Sequence, residues 1–143
     1  MPDKSSSKKK LNPQQERELD VTISFLEGIV RRDPHYIEAL QLLGDDYTKR
    51  GHFTSGLQVD EQLATLRPDD TGVQYNLACS YSLTEQYELA IKALNRALEL
   101  GYDEFKFMAR DPDLKNLRAH PLYEPIRAKL RAQKITEDQD SDA

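Results

Sequence analysis

Residues 43–67, LGDDYTKRGHFTSGLQVDEQLATLR, and residues 77–101, LACSYSLTEQYELAIKALNRALELG, carry one pattern twice, displaced by 34 positions. Three pairs of residues are identical at that displacement: Leu43 with Leu77, Tyr47 with Tyr81, and Leu66 with Leu100. Apolar residues recur at steps of three or four in both stretches, which is the spacing of one face of an α-helix. A duplication of this length decides the fold, because each copy is one supersecondary unit that packs against its neighbours.

Each copy contains two helices and a short turn. In the first copy, Gly51 is predicted to end one helix, and the next helix is predicted over 53–66. In the second copy, a helix is predicted over 71–83, and Thr84 is predicted to cap the helix that follows it. Before them, Asn12 and Pro13 begin a helix that ends near Arg32. No stretch alternates apolar and polar residues for long enough to form a strand, so the chain is predicted to be all-α.

Small residues mark the predicted close approach of the paired helices. They are Gly44 and Gly56 in the first copy, and Ala78 and Ala90 at the same places in the second. A period of 34 residues with two helices is the length of the tetratricopeptide repeat, and the chain resembles that family. The motif residues are Leu40-x-x-Leu43-Gly44-x-x-Tyr47 and Leu77-Ala78-x-x-Tyr81. Leu40 and Gln74 replace the family's usual tryptophan, and Tyr102 replaces a closing proline.

The resemblance implies a right-handed α-solenoid of antiparallel helix pairs with a C-terminal capping helix. The apolar face of that cap is predicted to consist of Leu122, Ile126 and Leu130. The predicted organisation is a disordered basic tail at 1–11, a helical domain at 12–134 and a disordered acidic tail at 135–143. Within the domain we predict a half repeat at 12–36, repeats at 37–70 and 71–104, and a degenerate repeat with its cap at 105–134.

Charge and composition favour a protein that works in the cytoplasm without binding nucleic acid. The 143 residues carry 20 Lys and Arg against 25 Asp and Glu, a net charge of −5, which disfavours nucleic acid as the main partner. The single cysteine, Cys79, excludes an internal disulfide and suits a reducing compartment. No apolar run is long enough to span a bilayer, so no membrane insertion is expected. Binding of nucleic acid through Lys8, Lys9 and Lys10 stays an alternative that predicts steep salt dependence.

Catalytic and metal-binding patterns are not evident in the sequence. His35, His52 and His120 lie far apart, whereas a zinc site needs three or four converging ligands. Cys79 has no histidine nearby in sequence to act as a base, and a phosphate-binding glycine loop is absent. The carboxylates of Asp111 and of Asp69 or Asp70 are expected to cap helices. We predict no enzyme activity, no catalytic residue, no metal and no cofactor.

The resemblance further implies a concave groove, lined by the first helix of each pair, that holds a partner polypeptide. Carried over by position, the lining residues are Gln41, Asp45, Thr48, Lys49, Tyr75, Asn76, Cys79, Ser82, Lys106 and Arg110. Asn76 can bridge the backbone of an extended peptide, and Lys106 and Arg110 can hold a carboxylate. Some relatives clamp a C-terminal carboxylate at five of these places, and here Gln41 and Asp45 depart from that pattern.

The predicted function is a protein–protein interaction adaptor or scaffold that binds a partner peptide or helix in this groove. Two alternatives stay open: an assembly factor or chaperone-like module for a larger complex, and a protein that self-associates through the groove or a tail. The sequence does not decide between an extended peptide and a helix as the bound element.

Overall fold

The protein is described here by a computed structural model that covers residues 10–133. Both tails lie almost wholly outside this range, so their predicted disorder stays a prediction. Every regular element within it is helical, as predicted. The helices are α1 (Pro13–Arg32), α2 (Ile37–Arg50), α3 (Phe53–Leu66), α4 (Thr71–Leu83), α5 (Tyr87–Glu99), α6 (Phe105–Arg110), α7 (Lys115–Arg118) and α8 (Glu124–Ala132). Two 3₁₀ turns, Pro112–Leu114 and Pro121–Tyr123, precede α7 and α8.

The beginning of α1 is fixed by its cap. The Asn12 side chain accepts a hydrogen bond from the Gln15 backbone N–H at 2.8 Å, and the Gln15 side chain accepts one from the Asn12 N–H at 2.9 Å. Pro13 occupies the first helical position, where its missing N–H costs no hydrogen bond. This reciprocal cap places α1 where the sequence predicted it.

The two copies of the sequence pattern have the same hydrogen bond in the turn between their helices. In the α2–α3 turn the His52 N–H donates to the Tyr47 carbonyl at 2.8 Å, and in the α4–α5 turn the Gln86 N–H donates to the Tyr81 carbonyl at the same distance. These donors and these acceptors are each 34 positions apart. The two helical hairpins are therefore closed by the same turn.

One position in this turn requires a left-handed backbone. Gly51 adopts a φ of 87° there, and its counterpart Glu85 adopts a φ of 62°. Glycine enters this region freely, whereas a side chain makes it unfavourable. The expectation that Thr84 caps α5 is wrong: Thr84 ends α4, and Gln86 precedes α5. The left-handed residue between them changes the chain direction before the new helix begins.

Small residues lie where the paired helices meet, as predicted. A Cβ atom added to Gly56 of α3 would lie 3.6 Å from the Gly44 carbonyl oxygen of α2. In the second hairpin Ala78 and Ala90 are completely buried. Helices in such close contact leave no room for a larger side chain at these positions.

The chain divides into two compact units at Pro68 and Asp69. In the first unit α1 packs on α2, and α2 on α3, around a core that includes Ile23, Leu40 and Leu63. In the second unit α4 pairs with α5, and the segment from 105 to 133 packs onto that pair.

The interrupted third repeat forms a compact C-terminal segment rather than a long helix. α6 ends after six residues, because Asp111 and Pro112 begin a 3₁₀ turn. The apolar face predicted for the cap needs one correction, since Leu122 is 38% exposed and Tyr123 is buried in its place. Pro121–Tyr123 is a 3₁₀ turn with fewer residues per turn, which shifts the inward-facing position by one. Ile126 and Leu130 are buried as predicted.

Arginine side chains tie this segment together through backbone carbonyls. Arg118 donates to the carbonyls of Met108 at 3.0 Å and Asp111 at 2.8 Å. Arg127 donates to the Arg118 carbonyl at 2.7 Å, and its guanidinium lies 5.1 Å from the centre of the Tyr123 ring. These bonds satisfy carbonyl groups that short helices leave without partners.

Candidate functional site

The ten residues predicted to line a concave face fall in both units, and each set is described within its own unit. In the first unit Gln41, Asp45 and Lys49 are exposed on α2 at spacings of four, so they share one face. Thr48 is half-buried: its hydroxyl donates to the Gly44 carbonyl at 3.1 Å and lies against Gly56 of α3. Thr48 therefore belongs to the contact between α2 and α3.

In the second unit, three predicted residues of α4 are buried. Tyr75 is 5% exposed, Cys79 is 7% exposed and Ser82 is fully buried. They present little surface to a partner in this structure. Tyr75 and Cys79 are the counterparts, 34 positions on, of the exposed Gln41 and Asp45. The same helical face is thus open in one unit and covered in the other.

The loop that follows α6 covers this face of α4 with a buried carboxylate. Asp111, which is 1% exposed, accepts a hydrogen bond from the Tyr75 hydroxyl at 2.7 Å. The same carboxylate oxygen lies 3.7 Å from the Cys79 sulfur, within reach of a weak thiol hydrogen bond. The other oxygen accepts the Asp113 backbone N–H at 3.0 Å and so caps the 3₁₀ turn. Capping by Asp111 was predicted, whereas its bond to α4 was not.

Aromatic stacking strengthens this attachment. The rings of Tyr75 and Tyr102 lie parallel, with an angle of 5° between their planes and their centres 4.3 Å apart. The ring of Phe107 in α6 lies 6.3 Å from Tyr75. Stacked rings contribute beyond the area they bury, so these contacts help to hold α4 against α6 and against the segment that follows α5.

Burial controls the ionisation of the two tyrosines. Desolvation raises the pKa of Tyr75 well above its usual value, and the neighbouring Cys79 and Asp111 raise it further. The pKa of Tyr102 is also raised, chiefly by burial. Both phenols stay protonated at neutral pH, so Tyr75 remains a hydrogen-bond donor to the Asp111 carboxylate.

Three side chains in this region have the chemistry of metal ligands. The ligand atoms of Cys79, Asp111 and Asp113 lie within 4.8 Å of one another. Within this group, Asp111 accepts hydrogen bonds from the Tyr75 hydroxyl and from the Asp113 backbone N–H, and these bonds join α4 to the loop after α6.

The remaining predicted residues of the second unit are exposed. Asn76 lies on α4 beside the buried Tyr75, and Lys106 and Arg110 lie four positions apart on α6. Residues four apart in a helix lie on one face, so the two cations project from the same side of α6. We call these three residues the α4–α6 surface. The Tyr75–Asp111 bond joins α4 to the residue that follows α6, and the Tyr75 ring stacks on Tyr102.

Sequence reasoning did not find a cleft that the structure shows in this unit. A cleft of about 440 Å³ is lined by Glu85, Gln86, Tyr87, Glu88, Leu89, His120 and Leu122. The rings of Tyr87 and His120 lie 4.6 Å apart in it, and the His120 Nδ1 accepts the Leu122 N–H at 3.1 Å. The histidine therefore caps the 3₁₀ turn that directly follows it, and its ring also contacts Tyr87 at the start of α5.

Comparison with known proteins gives a partial similarity. No family model matches the chain. The chain is 33% identical over 86 residues to a chloroplastic protein of Arabidopsis thaliana. The aligned region covers 58% of this chain and 26% of that protein, so the chain spans about a quarter of the relative's length. Among residues 10–133, no helix is long and apolar enough to cross a membrane.

Proposed function

We propose that the chain is a tetratricopeptide-type adaptor, a small right-handed α-solenoid that binds a partner polypeptide. The repeated turn supports this, because the two hairpins share their closing hydrogen bonds at a spacing of 34 residues. Helical-pair repeats of this length build extended binding surfaces by stacking. The proposal assigns the chain no catalytic step and no cofactor.

The observation that carries the proposal is the exposure of a polar surface on a rigid base. Asn76, Lys106 and Arg110 are exposed, whereas Tyr75 of α4 and Asp111 after α6 are buried and hydrogen-bonded to each other. A surface held in one geometry loses little freedom on binding, which favours affinity. The amide of Asn76 suits the backbone of an extended segment, and the two cations of α6 suit a carboxylate.

The partner chemistry that fits this surface is an extended segment with an acidic side chain or a free C-terminus. On the first unit, the α2 face of Gln41, Asp45 and Lys49 offers mixed charge. A polar segment suits that face. We place the activity in the cytoplasm, with a plastid-type compartment as the alternative because the matched relative is named chloroplastic.

An assembly factor for a larger complex is the second candidate. It uses the same surface, and it differs in that the partner is released when its complex is complete. Continued presence of the chain in the mature complex favours the adaptor, whereas its presence only in incomplete complexes favours the assembly factor.

The test is capture of partners by the full chain from native lysate of its source. A variant with Asn76→Ala, Lys106→Glu and Arg110→Glu is compared with a control carrying Asn116→Ala, Lys92→Glu and Lys115→Glu. The control changes exposed residues of the same unit by the same charge. We expect one prominent polypeptide to bind the wild type and the control and to be lost from the first variant. Equal capture by all three proteins would contradict the proposal that the partner binds to the α4–α6 surface.

A further inference from the structure

The outer face of α1 is apolar and uncovered. Val21 is 70% exposed and Phe25 is 68% exposed, although both are large hydrophobic side chains. The side chains that pack on α2 come from a different face, which includes Ile23 and Leu26. Val21 and Phe25 are four positions apart and so form one continuous patch. With Gly28 in the same row, we call this patch the α1 outer face.

The repeat relates this face to covered faces elsewhere in the chain. The counterpart of Phe25 in α3 is Val59, 34 positions on, and it is only 8% exposed. The preceding helix, α2, covers it: a Cβ atom at Gly44 would lie 3.4 Å from a Val59 methyl carbon. The next counterpart, Ala93 of α5, is 5% exposed. Residues 10–133 contain no helix before α1, so the position that α2 occupies on α3 is open on α1.

Gly28 is a second sign that something packs here. It lies three positions after Phe25 inside α1, where glycine destabilises a helix relative to alanine. A Cβ atom at Gly28 would contact nothing within 4 Å, so packing inside the described chain does not require a glycine. A missing side chain in the apolar row lets another helix approach closely.

The charges beside the patch favour an antiparallel arrangement of two α1 helices over a parallel one. Glu16 and Asp20 lie on another face of α1, where both pair with Arg50 of α2. Glu18 and Arg32 fall in the same row as Val21, Phe25 and Gly28, at steps of three and four. An antiparallel copy of α1 therefore brings opposite charges together at both ends, whereas a parallel copy brings like charges together.

We propose that the α1 outer face binds the same face of a second copy of this chain, with the two α1 helices antiparallel. In this arrangement Val21 packs against Phe25 of the second copy. Glu18 then lies about four residues, or about 6 Å along the axis, from the level of Arg32 of the second copy. An arginine side chain spans that distance. The apolar pair and both charged ends are satisfied together.

Two helices of 20 residues form a small interface, so the dimer is weak and concentration-dependent. This association involves α1 alone and does not rest on the adaptor function. It also differs from self-association through the groove or a tail, because it uses none of the residues of the α4–α6 surface.

The first test is the mass of the full chain by sedimentation equilibrium over about 1–500 μM. The expected result is a rise from the monomer mass of 16.4 kDa toward twice that value. Phe25→Glu is expected to weaken association by at least about tenfold, because it buries a charge in an apolar contact. Leu42→Glu is the matched control, since Leu42 is a 55% exposed apolar residue of the same unit. A constant monomer mass, or association that survives Phe25→Glu, overturns the proposal.

A second test examines the antiparallel alignment. Glu18→Arg and Arg32→Glu each place like charges at both ends of their own dimer and are expected to weaken association about two- to fivefold. An equimolar mixture of the two variants restores opposite charges at both ends and is expected to associate as the wild type does. A mixture that associates no better than either variant overturns the alignment. Circular dichroism checks that every variant keeps its helix content.

Discussion

The hydrogen bond between Tyr75 and Asp111 is expected to stabilise the second unit, and one substitution can remove it alone. Tyr75→Phe removes only the hydroxyl that donates to the carboxylate at 2.7 Å. The phenyl ring can keep its parallel stack on Tyr102, whose ring centre lies 4.3 Å away. The change therefore separates the hydrogen bond from the packing of the ring.

The expected loss follows from the burial of the acceptor. Asp111 is 1% exposed, so water cannot easily replace the lost donor. Hydrogen bonds to charged groups contribute about 1.5–3 kcal/mol, and a buried acceptor without its donor retains its desolvation cost. We expect Tyr75→Phe to lower the free energy of unfolding of the second unit by about 2 kcal/mol.

Tyr47→Phe is the matched control in the first unit. The Tyr47 hydroxyl donates to the Glu27 carboxylate, which is only half-buried. Water can reach Glu27 after the change, so the expected loss is about 0.5–1.5 kcal/mol. Urea unfolding followed by circular dichroism measures both variants. A loss below about 0.5 kcal/mol for Tyr75→Phe, or a larger loss for Tyr47→Phe, would refute the importance given to the buried carboxylate.

Three further predictions concern the repeated turn, the close helix contact and alkaline pH. Glu85→Gly is expected to stabilise the chain by about 0.5–1 kcal/mol, because glycine adopts the left-handed conformation without the strain that a side chain causes. Gly51→Ala is expected to destabilise the chain by about 1 kcal/mol for the same reason. The two variants should therefore shift the melting temperature in opposite directions. Ala90→Leu overpacks a fully buried position and is expected to lower the free energy of unfolding by about 1–3 kcal/mol. Glu88→Ala changes an exposed residue and is expected to change it by no more than about 0.5 kcal/mol. Equal melting temperatures for the two variants would show that the helix register is wrong. Burial and Glu27 raise the pKa of Tyr47 to about 12, so the unfolded chain releases this proton near pH 10 while the folded chain retains it. Stability is therefore expected to fall as pH rises from about 10 to 12, and to fall less steeply in Tyr47→Phe; parallel curves for the two proteins count against this pKa.

Local signals in the sequence predicted the helices well. Asn12 with Pro13 gives the start of α1, and Gly51 gives the end of α2, because caps and left-handed residues act within one turn of the chain. The turn after α4 was less predictable. Thr84 has the side chain of a helix cap, whereas Glu85, which is not a glycine, gives no sign in the sequence of its left-handed conformation. The surrounding hairpin overrides the local preference at that residue.

The candidate site was predicted less completely, because its main contact joins distant residues. Tyr75 and Asp111 are separated by 36 positions, and nothing in the spacing of either shows that the loop after α6 covers α4. The exposure of Asn76, Lys106 and Arg110 follows from helical periodicity once α4 and α6 are placed. Burial of Tyr75 and Cys79 depends on how the interrupted repeat folds back and brings Asp111 onto α4, which a repeat register alone does not give.

The most direct measurement of the adaptor proposal is site-specific photo-crosslinking in the full chain. A photoreactive residue replaces Asn76 on the α4–α6 surface in one protein and the exposed Lys92 of α5 in another. Both proteins are irradiated in native lysate, and the crosslinked partners are identified by mass spectrometry. The account predicts a crosslink from position 76 to the polypeptide that the wild-type chain captures, and none to it from position 92. Crosslinks to that polypeptide from position 92 alone, or none from position 76, would contradict it.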